Sequence, residues 1–417
     1  MAGKAVRKTT PTSDVSILRE LTQRYVEICH KPVGQERRAL WRRKNSLKPC
    51  RPLIYVRAYA FREMPGGQCH CQDPFFRRQE DFLRWMLIQD TFADDFIFEP
   101  WLTVQARYVT PPDGLWGLPI TWIGREAGRA GIWDPPIKEE ADAARMAEIH
   151  HVIDEAGTAE DVGRCQDAVG DLIAINVDRA GAYRMWNADI STLIFQLRGM
   201  EQIMLDMTDR PAWLHGVLAF MRDGILRAHD EADRAGDWDL SAHQNQAMPY
   251  ALELDDPAAN APAPRGRLWT FCASQETTLV GPEMFNEFML QYQVPIVSRF
   301  ALTAYGCCED LTRKVRFLRQ IPNLRRIAVT PFADVARCAE QIGTDYVISY
   351  RPSPADMVSY GFNPDRIRSI LRRDFAAMEG LHFDITLKDV ETVQGDPHRV
   401  ANLVKITREV IDETWRE

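Results

Sequence analysis

The 417-residue chain is 45% hydrophobic, long enough for a full core, and its 24 glycines and 25 prolines exclude a collagenous or disordered class. A formal net charge of -8 argues against a nucleic-acid binder, whose affinity rests on neutralising phosphates with Lys and Arg. Nine cysteines, odd in number and irregularly spaced, fit a reducing compartment better than a disulfide framework. No apolar stretch follows the basic start Lys4, Arg7, Lys8, and no run reaches membrane-spanning length, so the expected location is cytoplasmic.

In chain order, residues 1–13 read as a disordered arm and 14–417 as one domain. Ile17, Leu18, Leu21, Tyr25 and Ile28 recur at helical spacing, so helices are expected before the first strand. Eight short apolar or β-branched runs follow: Leu53–Ala58, Phe96–Glu99, Leu172–Val177, Leu268–Ala273, Ala301–Gly306, Ile327–Thr330, Tyr346–Tyr350 and Phe383–Leu387. Most lack strict alternation, as parallel strands covered on both faces do, and helical segments separate them. The last units are the best punctuated. Asn363-Pro364-Asp365 and Asp396-Pro397 look like helix starts, and Gly343 and Gly380 like helix ends. The fold class expected is α/β, a closed (β/α)8 TIM barrel with N-terminal helices and two long insertions, near 107–170 and 193–267. Within the second insertion, Asp255 to Pro264 reads as a mobile linker or lid.

In such a barrel, functional groups gather where strands end. That rule selects Arg57 and Tyr59; Asp95 and Glu99; Asp178 and Arg179; Gln275 and Glu276; Tyr305, Cys307, Cys308 and Glu309; Arg351; and Lys388, Asp389 and Glu391. Two thiols at a strand end, followed by acids, suit a soft cation, or they merely pack the rim. Cys69-His70-Cys71 is a second possible ligand cluster or a polar loop. Arg57 needs a negative partner, either a substrate carboxylate or an acid such as Asp95. Asp94-Asp95 offers a carboxylate for proton transfer or a turn pair.

Arg51-Pro52-Leu53-Ile54-Tyr55-Val56-Arg57, Phe92 to Pro100 with Asp95, Gly281 to Phe288 and Asp396-Pro397 resemble the uroporphyrinogen decarboxylase superfamily, which includes zinc-dependent methyl- and alkyltransferases. The resemblance runs from about Leu53 onward, with the 107–170 insertion poorly covered. It implies a metal-assisted methyl- or alkyl-transferase passing its group to or from a thiol or a corrinoid carried on a partner protein. Catalytic Asp95, Arg57 and Tyr305 are then expected, with substrate held by Arg57, Tyr59, Arg179, Arg351 and Lys388. Zinc or another divalent metal would sit on Cys307, Cys308, Glu276 and Glu391. The departures are concrete. A second Arg in a Gly-Arg-Tyr context is replaced by Ala60-Phe61-Arg62, and the methyltransferase branch's His-x-Cys is Tyr305-Gly306-Cys307. The alternatives are a cofactor-independent decarboxylase of a carboxylated, tetrapyrrole-like substrate, using Asp95, and a non-catalytic tetrapyrrole carrier. A homodimer is expected because relatives pair.

Overall fold

The computed structural model describes residues 13–123, 131–184, 190–359 and 361–415. The arm expected over 1–13 lies outside these except for Ser13, whose hydroxyl caps the helix Asp14–Cys29 by accepting from the Ser16 N–H. A second helix, Val33–Asn45, brings the chain to the first strand.

Among the described residues ten strands form: β1 Leu53–Ala58, β2 Trp101–Gln105, β3 Thr121–Ile123, β4 Ile132–Asp134, β5 Ala174–Asp178, β6 Trp269–Cys272, β7 Leu302–Tyr305, β8 Leu324–Val329, β9 Val347–Tyr350 and β10 Phe383–Val390. Six of them, in the order β1-β10-β9-β8-β7-β6, make one curled parallel sheet, a half-barrel. β2 and β5 pair separately in parallel, and β3 and β4 form an antiparallel hairpin inside the first insertion. β6, β7 and β9 are buried at every position and β8 at all but Arg325, which is why these strands lack a regular alternation of apolar and polar residues.

A closed eight-stranded ring is therefore not shown among the described residues: β2–β5 is not paired to β1 or to β6, and both seams have visible causes. Beside β1 the chain is not a strand over Phe96–Glu99; the strand starts later, at Trp101, after Pro100. The edge of β1 is instead met by acids. Asp95 accepts from the Ile54 N–H at 2.8 Å, Asp94 accepts from the Val56 N–H at 2.9 Å, and the Asp95 N–H donates to the Ile54 carbonyl at 2.8 Å. Side-chain carboxylates satisfy backbone donors that a neighbouring strand would otherwise take. At the other seam Asn260 does the same for β5: its Oδ1 accepts from Val177 N–H and its Nδ2 donates to the Ile175 carbonyl, 2.9 and 2.8 Å. The free edge of β6 is met by His243, whose ring nitrogen accepts from Trp269 N–H at 3.1 Å. Asp255 to Pro264 is thus part of a seam rather than a lid, and Asp255 and Asp256 are ion-paired to Arg267 and Arg42.

The helix Pro364–Ala377 starts as its sequence predicts, with Asn363 Oδ1 accepting from Asp365 N–H and Arg366 N–H. Asp396 works differently. The last helix begins at Arg399, and Asp396 accepts from His398 N–H to shape the turn before it. In the second insertion, the 25-residue helix Pro211–Ala235 packs its Gly224 under Trp116, where an added Cβ would lie 3.2 Å from the indole. Among the described residues no helix is long and apolar enough to cross a membrane.

Candidate active site

Strand β7 ends at Tyr305 and the chain turns at once on Gly306, φ +101°, a conformation that costs a side-chain-bearing residue steric strain. A Cβ there would also press on Leu311 and on Ala328 of β8, at 2.7 and 3.0 Å. The turn delivers Cys307, 3% exposed, and the half-buried Cys308 at the strand end, their sulfurs 3.5 Å apart. Glu309, itself buried, locks the turn: one carboxylate oxygen accepts from Cys307 N–H at 2.7 Å and the other from Ser274 N–H after β6 at 2.8 Å.

Lys388 of β10 reaches these thiols although β8 and β9 separate β10 from β7, which places all three groups within the curl of the sheet. Its ammonium lies 3.1 Å from Cys307 Sγ, 3.2 Å from Cys308 Sγ and 2.9 Å from Asp389 Oδ2. Arg351, at the end of β9 and 4% exposed, donates from Nη1 to the Cys307 carbonyl at 2.5 Å. The electrostatic consequence is directional. The Cys308 thiol donates to Cys307, burial opposes ionisation, and the Arg351 and Lys388 charges outweigh that opposition, so Cys307 drops to about 6. Cys308 is pushed well up, first by sharing its proton with Cys307 and then by burial. Burial and Arg351 work against the Lys388 charge, but the Cys307 thiolate and Asp389 prevail and keep it above the usual lysine value. The shared proton and the two cations thus favour a single negative charge on the pair, with Cys307 the thiol pulled down and Cys308 the one pushed up.

The expected metal ligands do not converge. Among the described residues there is no group of three or more His, Cys, Asp or Glu side chains placed to hold a metal ion. Glu276 instead accepts from Ser191 Oγ at 2.7 Å and Thr192 Oγ1 at 3.0 Å, and Glu391 is exposed beyond β10. The strongest misfit is Lys388, since a fixed ammonium already stands beside both sulfurs where zinc would need their lone pairs. Cys69-His70-Cys71 is a clasp rather than a ligand set: His70 N–H and Cys71 N–H both donate to buried Glu80, which also pairs with Arg84.

The remaining expected residues divide in two. Arg57, the penultimate residue of β1, has no carboxylate partner among the described residues; its guanidinium lies over the rings of Tyr59 and Trp85 and its Nε is buried and unbonded. Tyr305 is buried behind the cysteines, donating to Gln293 Oε1 at 2.7 Å and lying 3.0 Å from Ser274 Oγ. Asp95 is not brought to this site. It sits near the beginning of β1, ion-paired with Arg51 at 2.8 Å and Arg408 at 3.2 Å. Burial would raise its pKa, but Arg51 and Arg408 and the Ile54 N–H hold it below the usual carboxylate range, an ionised structural acid. Arg179 is likewise neutralised, by Asp237 at 2.6 Å and Glu155 at 2.7 Å near the β5 seam. Ser274 and Gln293 carry no motif that sequence reading could have found. Glu309 could be found as the acid ending Gly306-Cys307-Cys308-Glu309, but not its hydrogen bond to the backbone of Cys307.

No family model matches the chain, and no curated protein matches it. Among solved structures, a methyltransferase from Methanosarcina mazei follows a similar path over 89% of this chain and 97% of its own, with 12% identity and a TM-score of 0.49. Agreement that loose carries no functional argument.

Proposed function

We propose that the protein is an alkyl-group transferase whose nucleophile is the Cys307 thiolate. The observation that carries this reading is the Lys388 ammonium fixed 3.1 Å from Cys307 Sγ, with Arg351 on the same residue's carbonyl. Fixed cations beside a sulfur do for a thiol what a metal would otherwise do, favouring the anion at neutral pH without metal ligands. In the first half-reaction the thiolate attacks an alkyl carbon. A carbon–sulfur bond forms as the bond to the leaving group breaks, and the leaving group departs with the electron pair, taking a proton from Lys388 where it is basic. In the second, an acceptor of the thiol class returns its proton to the Lys388 amine and attacks the alkyl carbon as a thiolate; the new carbon–sulfur bond forms as the bond to Cys307 breaks, and the Cys307 sulfur leaves with the electron pair as the thiolate. Acyl transfer is the weaker reading because it needs N–H donors for an oxyanion, and the Cys307 N–H is already committed to Glu309. The decarboxylase reading loses its acid, since Asp95 serves as a structural ion pair.

The test uses iodoacetamide on the whole protein, with site occupancy read by peptide mass spectrometry. Cys307 is expected to alkylate with a midpoint near pH 6, unaffected by a chelator, while the thiols raised by burial, such as Cys165 at about 11, stay slow. Loss of the fast phase in Cys307→Ser supports the assignment. An ordinary thiol midpoint at Cys307, or a fast phase abolished by chelation, overturns it.

A further inference from the structure

All nine cysteines are free, but their sulfurs are not equally placed to pair. Cys69 and Cys71 turn theirs apart, toward Asp81 and toward the Asp14 carbonyl. Cys307 and Cys308 hold theirs in contact, 3.5 Å apart. Small reagents reach the pair from the Cys308 side, since Cys307 is buried and Cys308 only half-buried. The backbone of Cys307 is anchored at both ends, its N–H on Glu309 and its carbonyl on Arg351. The Cys308 sulfur is held more loosely: besides Cys307 and Lys388 it meets Asp389 Oδ2 at 3.9 Å. A disulfide brings its sulfurs to about 2 Å, so closure needs a shift of about 1.5 Å, which a turn of the Cys308 side chain supplies. The Cα atoms of neighbouring residues are about 3.8 Å apart, below the range of about 4.4–6.8 Å usual for disulfides. A bond between neighbours is therefore tight, and tight disulfides belong to the readily reduced, regulatory kind.

We propose that Cys307 and Cys308 form a reversible oxidation site, closed to a vicinal disulfide by a hydroperoxide and reopened by a dithiol. The inference concerns the pair itself and stands apart from the alkyl-transfer reading; to that reading it adds a means of withholding the nucleophile. In the first step one sulfur takes an oxygen from the peroxide, the O–O bond breaks, and the other oxygen leaves as water with that thiol's proton. In the second, the neighbouring sulfur attacks the sulfenic sulfur. The S–S bond forms as the S–O bond breaks, and a second water leaves with the remaining thiol proton. Two electrons pass from the sulfurs to the peroxide. Lys388, within 3.2 Å of both sulfurs, relays the protons whichever is oxidised first. Reduction runs through a mixed disulfide: one thiol of the dithiol attacks the pair, and its second thiol displaces the protein sulfur and leaves as a cyclic disulfide.

The tryptic peptide 300–313 carries both cysteines and no other. The experiment treats the whole protein with hydrogen peroxide, removes the excess with catalase, unfolds the protein, caps free thiols with iodoacetamide and weighs the peptides. Peptide 300–313 is expected uncapped and two hydrogens lighter than its dithiol form, and dithiothreitol before capping should restore the doubly capped form. Cys69 and Cys71 should remain capped throughout. In Cys308→Ser the resolving thiol is missing, so oxygen should accumulate on Cys307 in a form that dithiothreitol does not remove. The proposal is overturned by a wild-type peptide that gains oxygen instead of losing hydrogen, or that bonds to another cysteine. It is equally overturned by one that stays doubly capped at a dose fully oxidising a small thiol added alongside, or by a Cys69–Cys71 bond forming as readily. Capping follows unfolding, so an ordinary alkylation midpoint at Cys307, which would sink the alkyl-transfer reading, leaves this readout untouched.

Discussion

Lys388 decides the chemistry at the level of single residues. A lysine and two thiols could equally be a metal site's second layer or its replacement; contact of the ammonium with both sulfurs is what supports the metal-free reading proposed above. Lys388→Met removes the nearer positive charge while keeping a similar volume. The Cys307 midpoint in the alkylation assay is then expected to climb from near 6 toward that of an ordinary thiol; at neutral pH the rate falls less than twofold until the midpoint reaches 7, and by up to about tenfold for each unit beyond. A midpoint that stays put would assign the thiolate to Arg351 and Cys308 alone. Both strand-end arginines lacking acid partners, Arg57 and Arg351, were legible as substrate candidates from position; that Arg179 is neutralised and Asp95 is buried in an ion-pair cluster was not. Those outcomes depend on Asp237, Glu155, Arg51 and Arg408, which are scattered along the chain.

Among the elements, strands buried on both faces announce themselves, since nothing in their surroundings rewards a polar residue. β1, β6, β7, β9 and β10 therefore fall where the apolar runs lie. Phe96–Glu99 misled for the same reason: the run is apolar because it packs, with the Phe96 ring stacked on Tyr55, without joining a sheet. Seams are the harder feature, because a side chain can stand in for a strand. Asn260→Ala leaves Val177 N–H and the Ile175 carbonyl open along β5. The loss of those two hydrogen bonds should lower stability by about 2 kcal/mol, read as a fall in denaturant midpoint. The same substitution leaving the midpoint unchanged would mean that water serves the β5 edge equally well.

For the whole molecule, the seam acids tie stability to pH. Burial raises Asp94 from 3.8 to about 7, against the pull of hydrogen bonds from Val56 and Phe96. The sign follows from proton counting. Between these values the native carboxyl keeps a proton that the unfolded chain has lost, so this group's contribution falls as pH rises from 3.8 to 7 and is level outside that window. Asp94→Asn is expected to flatten the slope of Tm against pH across that window relative to wild type; parallel slopes would show that Asp94 is ionised in the native state.

Composition and local pattern alone determined the class of the chain: α/β, parallel strands with helices between, thiols and cations at strand ends. Those features rest on interactions within a few residues, such as burial on both faces, a capped helix start at Asn363, or a glycine turn before Cys307. Tertiary structure decided the rest. Whether the sheet closes, which arginines keep an unanswered charge, and whether Cys307 meets zinc or Lys388 all depend on distances between residues far apart in the chain. Lys388 and Cys307 are 81 positions apart and 3.1 Å from each other. Coulombic and hydrogen-bond energies change steeply over the last few ångströms, and no spacing along the chain encodes them.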